Sequence, residues 1–228
     1  GRRQLIGWGV AAGTYPVRRT PGEALVRILA DGTAEVASSS IDMGQGTYTI
    51  LAQTAAEVLG IPVDRVRVKL GDSALPRAPV AGGSQLANLM TGAVHKAAHA
   101  ARDELIGLAL NHPSSPFLDQ QTNTLTIADG VISTPRSEKP NISIADFMRV
   151  IGQEKVEALR DTLPEDKKNT QDRYNNFTTM MAMKPPTEGG YSLHSWCAHF
   201  VEVRVDADFG TVRVSRMVSA LDSGRLYL

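Results

Sequence analysis

A single cysteine, Cys197, stands in 228 residues, so no disulfide can form within the chain and no multi-cysteine zinc or iron–sulfur site can be built from it. Next to Trp196 it reads as a small buried side chain. Neither sign of charge is in excess: 24 Lys and Arg balance 24 Asp and Glu, and no long basic stripe is present to neutralise a polyphosphate, which excludes nucleic acid as a partner. No apolar run approaches the ~20 residues that cross a bilayer. The start, Gly1-Arg2-Arg3-Gln4, has no apolar stretch behind it of the kind a secretion signal needs. In a fragment that absence says nothing of compartment, and neither cytoplasm nor periplasm is selected. What remains is a globular composition, 42% hydrophobic and 21% charged, enough to bury one large core or two smaller ones.

Periodicity divides the chain into legible elements. Leu25, Arg27 and Leu29 alternate with Val26, Ile28 and Ala30 up to Asp31-Gly32, and Glu35-Val36-Ala37 follow, which predicts a hairpin over 24–39. Ile50, Leu51, Thr54, Ala55, Val58 and Leu59 recur at helical spacing, so Thr47 to Leu59 reads as a helix stopped by Gly60-Ile61-Pro62. A half-buried strand is expected over Val63 to Leu70, feeding a loop from Gly71 to Gly83. Ser84 then opens the longest helix, alanine-rich on its apolar side and ended by Asn111-His112-Pro113. Beyond it lie a weak hairpin about Asp129-Gly130, a short helix from Ser143 to Ile151 capped by Ser143, and a polar, proline-punctuated excursion over 153–186. His199 to Asp206 and Thr211 to Val218 form a strong terminal hairpin. Hairpins mixed with helices, without a strict βαβ repeat, indicate an α+β layered fold. The expected division is a first α+β half over 1–112 and a second over 113–228, the latter holding the excursion and the hairpin at 198–218.

Two helices begin at glycine-rich polar turns, Gly44-Gln45-Gly46-Thr47 and Gly82-Gly83-Ser84-Gln85. A helix start presents unpaired N–H groups and the positive end of the helix dipole, and glycine removes the Cβ that would hold a ligand away. Together the two starts could cradle an anionic cofactor. Gln45 and Gln85 add amides that both donate and accept, and Ser84 can either cap its helix or donate to a ligand oxygen. Taken singly, such a turn before a helix is only a tight turn. The argument rests on two of them, separated by one helix and one strand.

The order and spacing of Asp42-Met43-Gly44-Gln45-Gly46-Thr47, Gln53, Ala56-Glu57-Val58-Leu59-Gly60-Ile61-Pro62, Gly71-Asp72-Ser73, Gly82-Gly83-Ser84 and Gly92-Ala93-Val94 resembles the molybdopterin-binding segment of the xanthine dehydrogenase and aldehyde oxidase family. The likeness is strong from about Gly7 to Leu110, fades through the excursion, and returns at Ala198 to Asp206. The resemblance implies the α+β fold of that family's molybdopterin-binding domain. It implies a cofactor of molybdenum held by molybdopterin or molybdopterin cytosine dinucleotide, so that no protein side chain ligates the metal. Carried over by position, Gly44, Gln45, Gly46 and Thr47 with Gly82, Gly83, Ser84 and Gln85 bind that cofactor. The implied reaction is oxidative hydroxylation of an aldehyde or N-heteroaromatic substrate, with electrons leaving through partner iron–sulfur and FAD subunits or domains.

The family's catalytic glutamate, in a Gly-Glu segment well beyond the terminal hairpin, has no counterpart before Leu228, and an expected Asn-Pro after Ser223-Gly224-Arg225 is replaced by Leu226-Tyr227-Leu228. The isolated chain is therefore expected to be an inactive fragment without cofactor, and one prone to self-association through apolar surface. The alternative from another class is a non-catalytic binding or assembly module that keeps the fold without the chemistry. Glu188-Gly189-Gly190 reads as turn chemistry, since it precedes the recognised strand. His95 and His99 have the spacing of a two-histidine metal clamp, but Lys96 stands where a zinc protease has Glu, so they read as a solvated helix face. Gly7, Gly9 and Gly13 match a dinucleotide fingerprint only loosely.

Overall fold

The computed structural model describes residues 3–17, 20–118, 120, 124–134, 141–163, 187–188, 191–222 and 224. In chain order these form β1 (Gln4–Pro16), β2 (Glu23–Leu29), β3 (Ala34–Ala37), α1 (Thr47–Leu59), β4 (Val66–Lys69), α2 (Leu86–Asn111), β5 (Thr126–Ala128), β6 (Val131–Ser133), β7 (Ile142–Ser143), α3 (Ile144–Ile151), β8 (Lys155–Asp161), β9 (Thr187–Glu188), β10 (Tyr191–Ser192), β11 (His194–Asp206) and β12 (Val212–Asp222). Contacts divide the chain into two units, Arg19–Met183 and Gly1–Arg18 with Lys184–Leu228. The division expected at 112/113 is thus not the one the packing draws, because strand pairing joins segments distant in sequence.

In the larger unit a four-stranded sheet runs in the order β4-β3-β2-β8. Strict alternation on β2 sends Ala24, Val26 and Ile28 to one face, where Ala34, Val36, Val156 and Ala158 join them in the core. Helices α1 and α2 cover that face and pack on each other. Ala93, Ala97, Ala98 and Ala101 of α2 are fully buried, and their small size lets the helix lie close against β2 and β8. Larger side chains such as Leu51, Met90 and Leu105 fill the remaining space, each contributing about 1.5–3 kcal/mol through burial. The opposite face carries a ladder of charges across all four strands. Glu157 of β8 meets Arg27 of β2 at 2.7 Å, Arg27 meets Glu35 of β3 at 2.8 Å, and Glu35 meets Lys69 of β4 at 2.6 Å. Burial opposes ionisation of Glu35, but hydrogen bonds from Lys69 and Arg27 outweigh it and hold the carboxyl below its usual range.

Strand β8 corrects the expected excursion over 153–186. Its seven residues pair antiparallel with all of β2, because Val156 and Ala158 alternate inward while the charged residues between them face the ladder. The rest of that stretch, 164–186, lies outside the described residues. A second small sheet, β5-β6-β7, runs into α3, whose cap Ser143 accepts from Asp146 N at 3.0 Å as its sequence predicts. Gly60 joins this layer to α1. It ends the helix at φ +68°, donates to Ala56 O, and accepts from Gly130 N at 2.8 Å. An added Cβ there would collide with the Ile127 carbonyl.

The smaller unit is a three-stranded antiparallel sheet, β1-β11-β12, with the two-residue strands β9 and β10 paired beside it in sequence. The terminal hairpin is longer than its alternation predicts, and β1 pairs with thirteen residues of β11. Gly7, Gly9 and Gly13 lower the strand propensity of β1, which is why its sequence does not announce it. Cys197 is half-buried rather than buried, and its Sγ lies 3.0 Å from where a Cβ on Gly13 would be.

Candidate functional site

Strands β3 and β4 are parallel, with Ala34 opposite Val66 and Ala37 opposite Lys69. Their carboxyl ends therefore share one edge of the sheet, the edge at which open α/β layers take their ligands. From β3 the chain runs through residues 38–46 into α1, and from β4 it runs through 70–85 into α2. The two loops are laced together: Gly71 N donates to Ser40 O at 2.8 Å, Ser39 N to Pro76 O at 2.7 Å, and Ala78 N to Ser39 Oγ at 3.0 Å. Both glycine-bordered helix starts thus belong to a single edge, although 37 residues lie between Gly46 and Ser84 in the chain.

The first start does not present the row of unpaired amides its glycines suggest. Asp42 turns back on the loop and accepts from Gly44 N at 2.8 Å, Gly46 N at 3.3 Å and Tyr48 N at 3.3 Å. Those backbone donors, Gly44 foremost, hold its carboxyl below the usual carboxylate range. The anion at the start of α1 is the protein's own. Gln45 is exposed but internally bound: Oε1 accepts from Met43 N at 2.7 Å, and Nε2 donates to Thr47 Oγ1 at 2.7 Å and Ile41 O at 3.2 Å. With both amide hydrogens used, its side chain offers a ligand one remaining lone pair on Oε1. Thr47 is buried and passes its own hydrogen to Ile41 O at 3.1 Å. Gly44 and Gly46 sit at φ +109° and +82°, and a Cβ on either would meet nothing within 4 Å, so the backbone there is open to an approaching group.

The second start differs. Gly83 and Ser84 both take left-handed backbone, at φ +63° and +51°, before the N-cap residue Gln85. Ser84 does not cap the helix; α2 has neither a side-chain cap nor an acidic residue in its first turn. Among the described residues no side-chain cap and no first-turn acid answers the dipole of α2, whereas Asp42 sits at the start of α1. Gln85 is only 1% exposed, and its Oε1 accepts from Thr20 Oγ1 at 3.0 Å. It pins the loop to the chain entering β2 and is not placed to touch a ligand with its side chain. Gly82 is half-buried and donates to Val80 O at 3.0 Å. Between the loops, Ser40 Oγ is buried without a hydrogen-bond partner.

Reasoning from the sequence missed Asp42, Ser40 and Thr20. For Asp42 a signal existed: Asp two residues before a glycine is the signature of a side chain bonding its own turn. Ser40 and Thr20 acquire their meaning only from residues far away in the chain. His95 and His99 stack edge to face with ring centroids 4.5 Å apart, and no group of three or more metal-ligating side chains occurs among the described residues. Glu188 pairs with Tyr191 in the β9–β10 ribbon, while Gly189 and Gly190 lie outside the described residues.

Comparison with known proteins covers nearly the whole chain. A family described as "Molybdopterin cofactor-binding domain" matches residues 1–227. The aldehyde oxidoreductase molybdenum-binding subunit PaoC of Escherichia coli (strain K12) is 32% identical over 222 residues, 97% of this chain and 26% of that protein. The nicotine 6-hydroxylase large subunit of Paenarthrobacter nicotinovorans is 34% identical over 130 residues, 56% of this chain and 15% of that protein. Among solved structures, quinoline 2-oxidoreductase from Pseudomonas putida 86 superposes with a TM-score of 0.72 at 21% identity, over 98% of this chain and 28% of that one, which shows a shared fold. The chain thus spans about a quarter of the length of PaoC.

Proposed function

This chain belongs to the molybdopterin cofactor-binding domain family, and we propose that it forms one wall of the cofactor cradle in a longer molybdenum-dependent oxidoreductase. Support for oxidative hydroxylation of an aldehyde or N-heteroaromatic substrate comes from the names of its relatives, an aldehyde oxidoreductase subunit and a nicotine hydroxylase. Iron–sulfur and FAD subunits or domains would then take up the electrons. The observation that carries the reading is the shared carboxyl edge of β3 and β4, where an uncapped helix start and an open glycine turn lie side by side in the topology.

The residues fit the group unequally at the two starts. At α1, Asp42 repels phosphate, so the exposed Gly44-Gln45-Gly46 backbone and the remaining Gln45 lone pair suit the N–H donors of a pterin edge. At α2, the first-turn amides of Leu86 and Ala87, with the exposed Ser84 ahead of them, suit the phosphate of molybdopterin or of its cytosine dinucleotide form. Gly83 lets the backbone turn there, whereas Gly82, Thr47 and Gln85 hold the two loops in shape from behind. When bound, the cofactor supplies the redox chemistry at its molybdenum. This chain's part is to orient it and to satisfy its polar edges.

The test uses the full-length protein. Ala87→Pro removes one first-turn N–H at a position where proline is compatible with a helix, and Gln45→Leu removes the acceptor. Each is expected to lower molybdenum, measured by mass spectrometry, and released pterin, measured by fluorescence, together by at least five-fold with unchanged circular dichroism. Full occupancy in the double variant would rule the cradle out.

A further inference from the structure

Three successive serines follow β3, and the fold uses them differently. Ser38 Oγ donates to Pro76 O at 3.3 Å and lies 3.9 Å from Met90 Sδ of α2. Ser39 Oγ accepts from Ala78 N at 3.0 Å. Ser40 is only 2% exposed, and its Oγ is shut off from water without a hydrogen-bond partner among the described residues. Leaving a buried hydroxyl unpaired is costly, and most such groups in folded proteins have a partner. Backbone geometry gives its direction. Parallel pairing runs on past β3 and β4, with Ser38 N donating to Lys69 O at 3.1 Å and Gly71 N to Ser40 O at 2.8 Å, so the chain stays extended as far as Ser40. Side chains alternate along an extended chain. Ala34 and Val36 face the helices, Ser38 continues that side against Met90, and Ser40 falls on it too, while Ser39 turns to the neighbouring loop. Ser40 therefore ends the helix-facing row at the carboxyl edge. The next residue, Ile41, accepts through its carbonyl from Gln45 and Thr47 of the α1 start, and Met90 stands one turn into α2.

We infer that Ser40 is a cofactor-binding residue outside both glycine turns, its hydroxyl donating to a phosphate oxygen of the cofactor seated between the two helix starts. This role rests on the proposed cradle and adds to it a donor that neither start supplies. Phosphate is the partner because the row that Ser40 ends packs on α2, whose first turn holds no acidic side chain, whereas the Asp42 carboxylate stands at α1. A hydroxyl suits the place. It donates to an anionic oxygen without carrying a charge of its own into a buried setting, and serine is short enough to leave room for the ligand.

Ser40→Ala in the full-length protein tests this, with Ser39→Ala as the comparison. Two quantities are read: the urea midpoint of cofactor-free protein, made in cells unable to synthesise molybdopterin, and the rate at which loaded protein releases pterin, followed by fluorescence. Ser39→Ala removes an acceptor already in use and is expected to lower the midpoint. Ser40→Ala removes a hydroxyl that the empty protein leaves unpaired, so its midpoint is expected to equal or exceed that of wild type. Its pterin release is expected to be about ten-fold faster, the scale of one hydrogen bond to a charged group. Ser40→Thr, which keeps the hydroxyl, is expected to restore slow release. Where that variant does not accumulate, Ser40→Cys, similar in size but a weak donor, should fall between Ser40→Ala and wild type. Unchanged release from Ser40→Ala while wild type holds pterin overturns the role of Ser40 alone. A midpoint lowered as far as that of Ser39→Ala shows that the hydroxyl serves the loops, and overturns it as well. Wild-type full-length protein that binds no pterin overturns it together with the cradle.

Discussion

Asp42 decides how the first helix start behaves. Its carboxyl is held below its usual range by backbone donors, so its contribution is present above the unfolded value of about 3.9 and is lost as pH falls through the lower folded value. Asp42→Asn is expected to lower the melting temperature at pH 7 and to match wild type near pH 2, in thermal melts followed by circular dichroism. An equal deficit at both pH values would exclude the charge as the cause. Gln85 makes a different claim, since its amide is buried and the Thr20 hydroxyl depends on it. Gln85→Leu keeps the volume but strands that donor, and a loss of roughly 1–3 kcal/mol in urea unfolding is expected. A Thr20→Val, Gln85→Leu double variant should recover part of it.

At the scale of elements, the junction at Gly60 couples helix α1 to the small sheet β5-β6-β7. Gly60→Ala places a side chain in left-handed backbone and against the Ile127 carbonyl, so destabilisation well above the ~1 kcal/mol cost of a positive φ alone is expected in chemical denaturation. An effect at or below that value would show that the two layers part easily. Elements with clean periodicity and marked ends were legible in the sequence. Helix α1 occupies the predicted Thr47–Leu59, because its apolar stripe is regular and Gly60 stops it. Strand β8 was not legible, since Lys155, Glu157 and Arg160 dominate its composition and the Arg27 that pairs with Glu157 lies far away in the chain, on β2. Strand β1 was hidden by its glycines, for the side chains that define it belong to β11 across the sheet.

At the scale of the whole molecule, every buried hydrophobic among the described residues falls between Ala24 and Leu163, inside the larger unit. A polypeptide of residues 20–163 is therefore expected to fold on its own, with a cooperative urea transition by circular dichroism and fluorescence. A gradual transition would mean that the smaller unit contributes to this core. In the same polypeptide the hydrogen bonds that lace the two loops at the carboxyl edge of β3 and β4 are retained, because Ser39, Ser40, Gly71, Pro76 and Ala78 all lie within it.

The local pattern of this chain determined its helices, its hairpins, its family and the two glycine turns, since periodicity, punctuation and backbone freedom are properties of neighbouring residues. Tertiary structure decided which parts of those turns are available to a ligand. Hydrogen bonds accepted by Asp42, and the one between Thr20 and Gln85, turn two similar motifs into one occupied helix start and one uncapped one. Such bonds depend on where distant or looping atoms come to rest, and burial, which makes the Thr20–Gln85 pair obligatory, exists only after the chain has folded.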